Sequence, residues 1–223
     1  VSEPTLPIDA VLFDLDGTLL DTAPDMGAAL NALLQEEGQR ALPAAVIRPH
    51  VSHGAKALVT LGFGVRDGDA GSEFERRRLR FLALYSDCLR SATAPFEGIE
   101  VVLAALESSG RPWGIVTNKP GWLTEPLLAS LGLDRRAACV VSGDTLAERK
   151  PHPRPLLHAA DVIGITPARC LYVGDAERDM QAAAAAGMRA VVARYGYLGP
   201  GDDFAAWPQY GAIDRPCDLL AYL

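Results

Sequence analysis

The chain has 223 residues, enough for one large domain or a domain carrying a smaller inserted one. Half of it is apolar (49%), which excludes a disordered chain. Its 28 carboxylates against 21 Lys and Arg leave a net charge of −7, without the basic footprint of a nucleic-acid binder.

The first element is the run Val11-Leu12-Phe13-Asp14-Leu15-Asp16-Gly17-Thr18. Residues 10–13 are uniformly apolar, as expected of a strand covered on both faces. A carboxylate at the carboxyl end of such a strand stands where ligands bind in an open α/β sheet. Asp14 and Asp16 read equally as an acidic turn, since Asp and Gly are ordinary turn formers. Residues 25–35 then carry apolar side chains at helical spacing. Pro43 starts a second short helix, and Ser52-His53-Gly54-Ala55-Lys56 turns into a third. Residues 72–89 form a longer amphipathic helix whose run Glu75-Arg76-Arg77-Arg78-Leu79-Arg80 is expected to be a solvated face. No strand is evident between Asp21 and Pro95, so residues 21–94 are expected to form an inserted helical cap, with 1–20 and 95–223 as the core.

From Pro95 onward short apolar strands alternate with helices. Strands are expected at 113–116, 139–141, 170–173 and 190–192, with a short edge strand near 212–213. Helices are expected at 99–106, 122–131, 156–163 and 179–186, with Gly132 and Gly187 past the ends of two of them. The fold class is therefore α/β: a doubly wound parallel sheet with a helical insert after its first strand. That insert opens where a ligand would sit and can serve as a lid.

Four polar clusters fall at strand ends or in the loops after them: Asp14/Asp16, Thr117/Asn118, Lys150 and Asp175/Asp179. Each alone has an ordinary structural reading: a turn, a helix cap, a solvated lysine, an acidic first helical turn. Together they converge on one sheet edge. Two carboxylates ~4 Å apart repel by about 4 kcal/mol at an effective dielectric near 20, so four of them need a cation or raised pKa values. An all-oxygen site of this kind suits Mg²⁺. Lys150 and Thr117, with backbone N–H groups of the following turn, would complete a cup for an anion such as phosphate.

Asp14-Leu15-Asp16-Gly17-Thr18, Val116-Thr117-Asn118, Lys150-Pro151 and Gly174-Asp175-Ala176-Glu177-Arg178-Asp179 resemble, in order and spacing, the four motifs of the haloacid dehalogenase superfamily. The resemblance implies a Mg²⁺-dependent phosphomonoesterase acting on a small phosphorylated metabolite. It implies that Asp14 attacks phosphorus and binds the metal, and that Asp16 acts as acid and base while its carbonyl binds the metal. It further implies that Thr117, Asn118 and Lys150 hold the phosphoryl group, that Asp175 is a direct metal ligand and that Asp179 acts in its surroundings. Members that act on carbon–halogen bonds lack a counterpart of Asp16. Within the superfamily the chain is most similar to the phosphoglycolate phosphatase branch. Thr117-Asn118-Lys119-Pro120, Tyr195-Gly196-Tyr197 and Trp207 resemble the bacterial N-acetylmuramic acid 6-phosphate phosphatases, which would place it in cell-wall recycling. His53 and Lys56 occupy the place of the family's substrate-specificity loop. A phosphosugar mutase on the same scaffold is the alternative, and a non-catalytic phosphate-binding module is a third reading.

The cysteines Cys88, Cys139, Cys170 and Cys217 form no Cys-x-x-Cys pair and read as core residues of a reducing compartment. Gly62-Phe63-Gly64 does not follow a strand and is no dinucleotide fingerprint. Val1-Ser2-Glu3-Pro4 shows no basic region followed by an apolar core, and no apolar run approaches the ~20 residues that span a bilayer. A cytoplasmic protein, monomer or homodimer, without membrane or nucleic-acid partners is expected.

Overall fold

The computed structural model describes residues 7–64 and 71–223. The amino-terminal residues 1–4 considered above for a leader lie outside them. The apolar run after Asp9 forms strand β1, Ala10–Phe13, buried at every position. A two-residue strand β2, Leu20–Asp21, follows the turn. Four helices come next: α1 (Ala23–Glu36), α2 (Ala44–Ile47), α3 (Gly54–Phe63) and α4 (Ser72–Asp87), with a 3-10 segment Arg48–His53 leading into α3. The chain returns through β3, Ala94–Pro95. It continues as α5 (Ile99–Ser108), β4 (Trp113–Val116), α6 (Gly121–Leu131), β5 (Cys139–Val141), α7 (Arg154–Ile163), β6 (Cys170–Gly174), α8 (Glu177–Ala185), β7 (Arg189–Ala193) and β8 (Gly211–Ile213), then a final 3-10 segment Pro216–Tyr222.

The sheet is parallel, in the order β5-β4-β1-β6-β7-β8. Connections run outward in one direction from β1 through β4 to β5, and in the other from β6 through β7 to β8. The switch point lies between β1 and β6, where Phe13 pairs with Val173. Asp14 and the Asp175 turn thus leave adjacent strands side by side, in the crevice where open α/β sheets bind ligands. The residues of β1, β4 and β6 are buried on both faces, and helices cover both sides.

Among the described residues, every regular element of the excursion between β2 and β3 is a helix, as its apolar spacing predicts. The strands at its two ends were not legible, because two residues carry no periodicity. Leu20 pairs with Pro95 and Asp21 with Ala94, so the outgoing and returning chains are stitched together. Asp25, buried in α1, accepts from the Ala92 and Thr93 backbone N–H groups (2.8 and 2.9 Å) and the Thr93 hydroxyl (2.6 Å), fixing the return path. The arginine run on α4 is the expected charged face, with Arg76 and Arg77 bound to Glu37 and Arg80 to Glu36 of α1. All four cysteines are free; Cys139 and Cys170 are buried, Cys88 and Cys217 half-buried. Among the described residues no helix is long and apolar enough to cross a membrane.

Candidate active site

Asp14 follows β1 directly, and its main-chain N–H donates to the Val173 carbonyl (2.8 Å), so backbone pairing sets the position of the carboxylate. Asp175 follows β6, and Asp179 stands in the first turn of α8. The three carboxylates meet: one oxygen from each lies within 4.8 Å of the others, and all three side chains are buried. Gly17 and Gly196 are required by this crowding. Gly17 has φ +86°, and a Cβ there or on Gly196 would run into Asp175.

Lys150 is the counter-charge. Its ammonium donates to Asp14 Oδ1 (2.8 Å), Asp179 Oδ1 (2.7 Å) and the Tyr172 hydroxyl (2.7 Å), which uses all three of its protons. Tyr172 in turn donates to the Val116 carbonyl at the end of β4 (2.9 Å), so the lysine head is triangulated from three strands. Its main chain is fixed as firmly. The Asn118 side chain donates to the Lys150 carbonyl (2.9 Å) and accepts from the Lys150 N–H (3.1 Å). The Asn118 amide is thereby committed to holding the lysine. Thr117, also buried, stands at the end of β4 beside it.

Burial is the first cause of the raised Asp14 and Asp175 pKa values. It pushes Asp175 up to about 7, with the charges of Asp14 and Asp179 adding to the shift. For Asp14 the Lys150 charge works against burial without cancelling it. Arg178, on the turn carrying Asp175 and Asp179, adds a second positive charge and donates from its guanidinium to the Ser52 carbonyl (2.7 Å). Asp175 Oδ2 accepts from the Ser52 hydroxyl (2.6 Å) and the Tyr197 N–H (2.9 Å), while Asp175 Oδ1 is buried without a hydrogen-bond partner. Such an orphan oxygen costs about 1–3 kcal/mol or more. An orphan oxygen among three buried carboxylates is the donor set of a hard divalent cation, so the residues present fit a metal.

Asp16 is separate from this cluster. Its carboxylate, half-buried, accepts from Lys119 Nζ (3.0 Å), and Lys119 also donates to the hydroxyl of Tyr85 on α4 (2.7 Å). The Lys119 ammonium lies 4.4 Å from the centre of the same ring. Burial pushes the Tyr85 hydroxyl up to about 12, so it is a neutral hydrogen-bonding group at ordinary pH. Ser52 and Tyr85 thus bring the helical excursion down onto the sheet end from two sides. The Tyr197 hydroxyl ties off the crossing itself, accepting from the Thr22 and Ala23 N–H groups (2.6 and 2.9 Å) and donating to Asp21 Oδ1 (2.8 Å).

A cavity of about 650 Å³ opens from Asp14, Asp16, Thr117 and Asn118 and runs between α3, α4 and the start of α6. His53 and Lys56 both line it. Of the expected residues, Lys150 joins Asp14 and Asp179 directly and Asp175 lies against those carboxylates, with Asn118 behind them and Asp16 and Thr117 beside them. Lys119, Tyr85, Ser52, Arg178 and Tyr197 were not assigned roles from the sequence. Lys119 had a signal, a lysine two residues past Thr117 in a strand-end turn. Tyr85 and Ser52 had none, since their contacts join segments far apart in sequence. His152 is exposed and His158, on α7, is half-buried, and neither lines the cavity.

Fold and site together define a doubly wound α/β protein whose centre is a lysine-braced group of buried carboxylates at the switch point. The haloacid dehalogenase-like hydrolase family profile matches residues 11–193, and the chain belongs to that family. It is 48% identical over 210 residues to a phosphoglycolate phosphatase of Xanthomonas campestris, covering 94% of each chain. It is 39% identical over 216 residues to the N-acetylmuramic acid 6-phosphate phosphatase of Pseudomonas aeruginosa, covering 97% of this chain and 95% of that one. Among solved structures, a predicted phosphoglycolate phosphatase from Haemophilus somnus superposes with a TM-score of 0.82 at 26% identity, covering 96% of this chain and 97% of that one.

Proposed function

We propose that the chain is a Mg²⁺-dependent phosphomonoesterase working through a phosphoryl group carried on Asp14, with 21–94 as its cap and 1–20 and 95–223 as its core. The observation that carries this reading is the meeting of Asp14, Asp175 and Asp179 around one buried position, braced by Lys150. Asp14, Asp175 and the Asp16 carbonyl would hold the metal, with Asp179 positioning Lys150. Mg²⁺ supplies charge neutralisation for the phosphoryl oxygens. Asp14 attacks phosphorus, the bond from phosphorus to the ester oxygen breaks, and Asp16 gives that oxygen its proton. Water then attacks the same phosphorus, Asp16 takes the proton back, and the bond to Asp14 breaks to release inorganic phosphate. Lys150, Thr117 and the main-chain N–H of Asn118 hold the transferring group, and Lys119 keeps Asp16 aimed at it.

The substrate is a small phosphorylated metabolite. The names of the relatives point to 2-phosphoglycolate and N-acetylmuramic acid 6-phosphate, the latter placing the enzyme in cell-wall recycling. Both names are phosphatases, which does not favour the mutase. The test is release of inorganic phosphate from these two esters with and without Mg²⁺, alongside a hexose 1-phosphate. Mg²⁺-dependent release supports the reading; isomerised hexose phosphate without release overturns it. Asp16→Asn is expected to lose about 10²–10⁴-fold in kcat on an alkyl phosphate. The loss should be smaller on p-nitrophenyl phosphate, whose leaving group needs no proton. Equal losses on both would argue against an acid role.

Metal binding is also expected to show in stability. The Asp175 carboxyl has a folded pKa of about 7, raised from 3.8, so the folded protein holds that proton more tightly. Its contribution is present below the unfolded value and is lost as pH rises through about 7. A divalent cation takes over the proton's role above that pH. The rise in Tm on adding Mg²⁺ should therefore be larger near pH 8 than near pH 5.5. Calorimetry showing equal rises would contradict a metal at Asp175.

A further inference from the structure

One side chain of the helical excursion reaches Asp16 through a residue of the core. Lys119 belongs to the core by its main chain. Its N–H donates to the Thr117 hydroxyl (3.2 Å), and its carbonyl accepts from the Gly143 N–H (2.8 Å) and the Thr124 hydroxyl (3.2 Å). A Cβ on Gly143 would collide with the Asn118 carbonyl, so the two loops are packed backbone to backbone. The four-carbon stem is what remains free to turn. Two groups decide where its ammonium sits: Asp16, from the core, and the Tyr85 hydroxyl, from α4 (2.7 Å). Tyr85 is 1% exposed and stacked on Phe81, with ring centroids 6.3 Å and planes 17° apart, so its hydroxyl is carried with α4.

The grip of Lys119 on Asp16 is one-sided. Nζ lies 3.0 Å from Oδ1 and 3.4 Å from Oδ2, against roughly 2.7–2.9 Å for a full charge-assisted bond. Among the described residues Oδ2 has no other partner, and Asp16 lines the cavity. One oxygen is thus held while the other is left for proton exchange with a ligand. Attraction alone would not keep this asymmetry, because a lone ammonium gains most from sitting between both oxygens. The Tyr85 hydroxyl supplies a second anchor, and its ring, 4.4 Å from Nζ, adds to the hold.

We propose that Tyr85 is a positioning residue for the acid: by anchoring Lys119 on Oδ1 of Asp16, it leaves Oδ2 free to protonate the departing oxygen. This rests on the phosphomonoesterase reading and adds a condition to it. Because Tyr85 is carried on α4, the acid is aligned only while the helices sit on the sheet end. Asp14 is held by the core itself, through Val173 and Lys150. Tyr85 therefore matters for leaving groups that need a proton, and little for those that do not.

The test reads kcat/KM, which covers the steps up to loss of the leaving group, on two esters with Mg²⁺. One is 2-phosphoglycolate or N-acetylmuramic acid 6-phosphate, whichever wild type cleaves faster; the other is p-nitrophenyl phosphate. Tyr85→Phe removes the hydroxyl and keeps the ring. It should lose about tenfold on the alkyl phosphate and less than about twofold on the nitrophenyl ester. Lys119→Met should show the same selectivity at equal or greater size. The double variant should be no worse than Lys119→Met, because Tyr85 acts through the lysine. An unfolded fraction leaves the ratio of the two esters unchanged, so lost stability does not imitate the result. Equal losses on both esters would mean a general effect of packing. A Tyr85→Phe loss that persists in the Lys119→Met background would mean direct contact with the ligand. Either result, or no loss on the alkyl phosphate, overturns the inference and leaves the phosphomonoesterase reading standing. Absence of phosphate release by wild type from all three esters overturns both.

Discussion

Asp14→Asn should lower turnover by about 10⁴-fold or more while leaving the fold intact. The amide has nearly the carboxylate's shape but cannot attack phosphorus. The stability side of the prediction is what makes it specific. Asp14 is buried with Asp175 and Asp179 nearby, and burial raises its pKa despite the lysine. Removing its charge relieves repulsion, and Lys150 keeps Asp179 at 2.7 Å. The metal-free variant should therefore melt at the same temperature as wild type or higher. It should also gain less from added Mg²⁺, having lost one anionic ligand. Calorimetry and a phosphate-release assay on the same preparation check both halves. A variant that keeps its activity would remove Asp14 from the mechanism, and one that is inactive because it unfolds would contradict the electrostatic account.

Lys150→Met should behave in the opposite way. The methionine keeps most of the length of the side chain but removes the only ammonium bound directly to Asp14 and Asp179 among the described residues. Two buried carboxylates then face each other without their bound counter-charge, and breaking a buried pair in this way costs about 3–5 kcal/mol. The variant should be inactive and clearly less stable near pH 7.5. As pH is lowered from there, Asp14, whose pKa is already raised, takes up a proton and removes part of the repulsion, so the stability deficit should shrink. Denaturant midpoints across that range measure the deficit. A deficit independent of pH would mean that Lys150 serves by packing, not by charge.

The contrast between these two substitutions reflects what was and was not legible in the sequence. Strand ends are local events. An apolar run stopping at a carboxylate marks Asp14 and Asp175, and the alternation of elements after Pro95 dictates a doubly wound sheet. The neighbouring of β1 and β6, on which everything depends, follows from the switch point that such sheets carry. Partnerships are different. Nothing in the pattern around Tyr172 or Asn118 announces that one hydroxyl and one amide will grip the head and the backbone of Lys150. The contact of Ser52 with Asp175 joins residues 123 apart, and that of Tyr85 with Lys119 joins residues 34 apart. Such pairs are set by how the helical excursion packs back on the core, information that residue type and spacing do not contain. Asn118 illustrates the gap: its position beside Thr117 was evident, whereas its side chain proved to brace the lysine.

These contacts also give the excursion a physical role. Ser52 donates to a proposed metal ligand, and Tyr85 accepts from the lysine that orients Asp16, so the seating of the helices is felt at the proposed metal site and at the proposed acid. In the proposed role as a cap, helices held by such polar contacts would open at modest cost, because each group has water as an alternative partner. The stitched strands β2 and β3 and the Tyr197 clasp at Asp21 to Ala23 fix the crossing points.

The most direct test of the central claim is to quench the enzyme with acid during turnover of a phosphate ester with Mg²⁺ and to map phosphoryl groups on its peptides. The account predicts one phosphoryl group on the peptide containing Asp14, attached to that residue, and none in Asp14→Asn. Rapid turnover with no phosphoryl group on the protein, or undiminished turnover by Asp14→Asn, would contradict it.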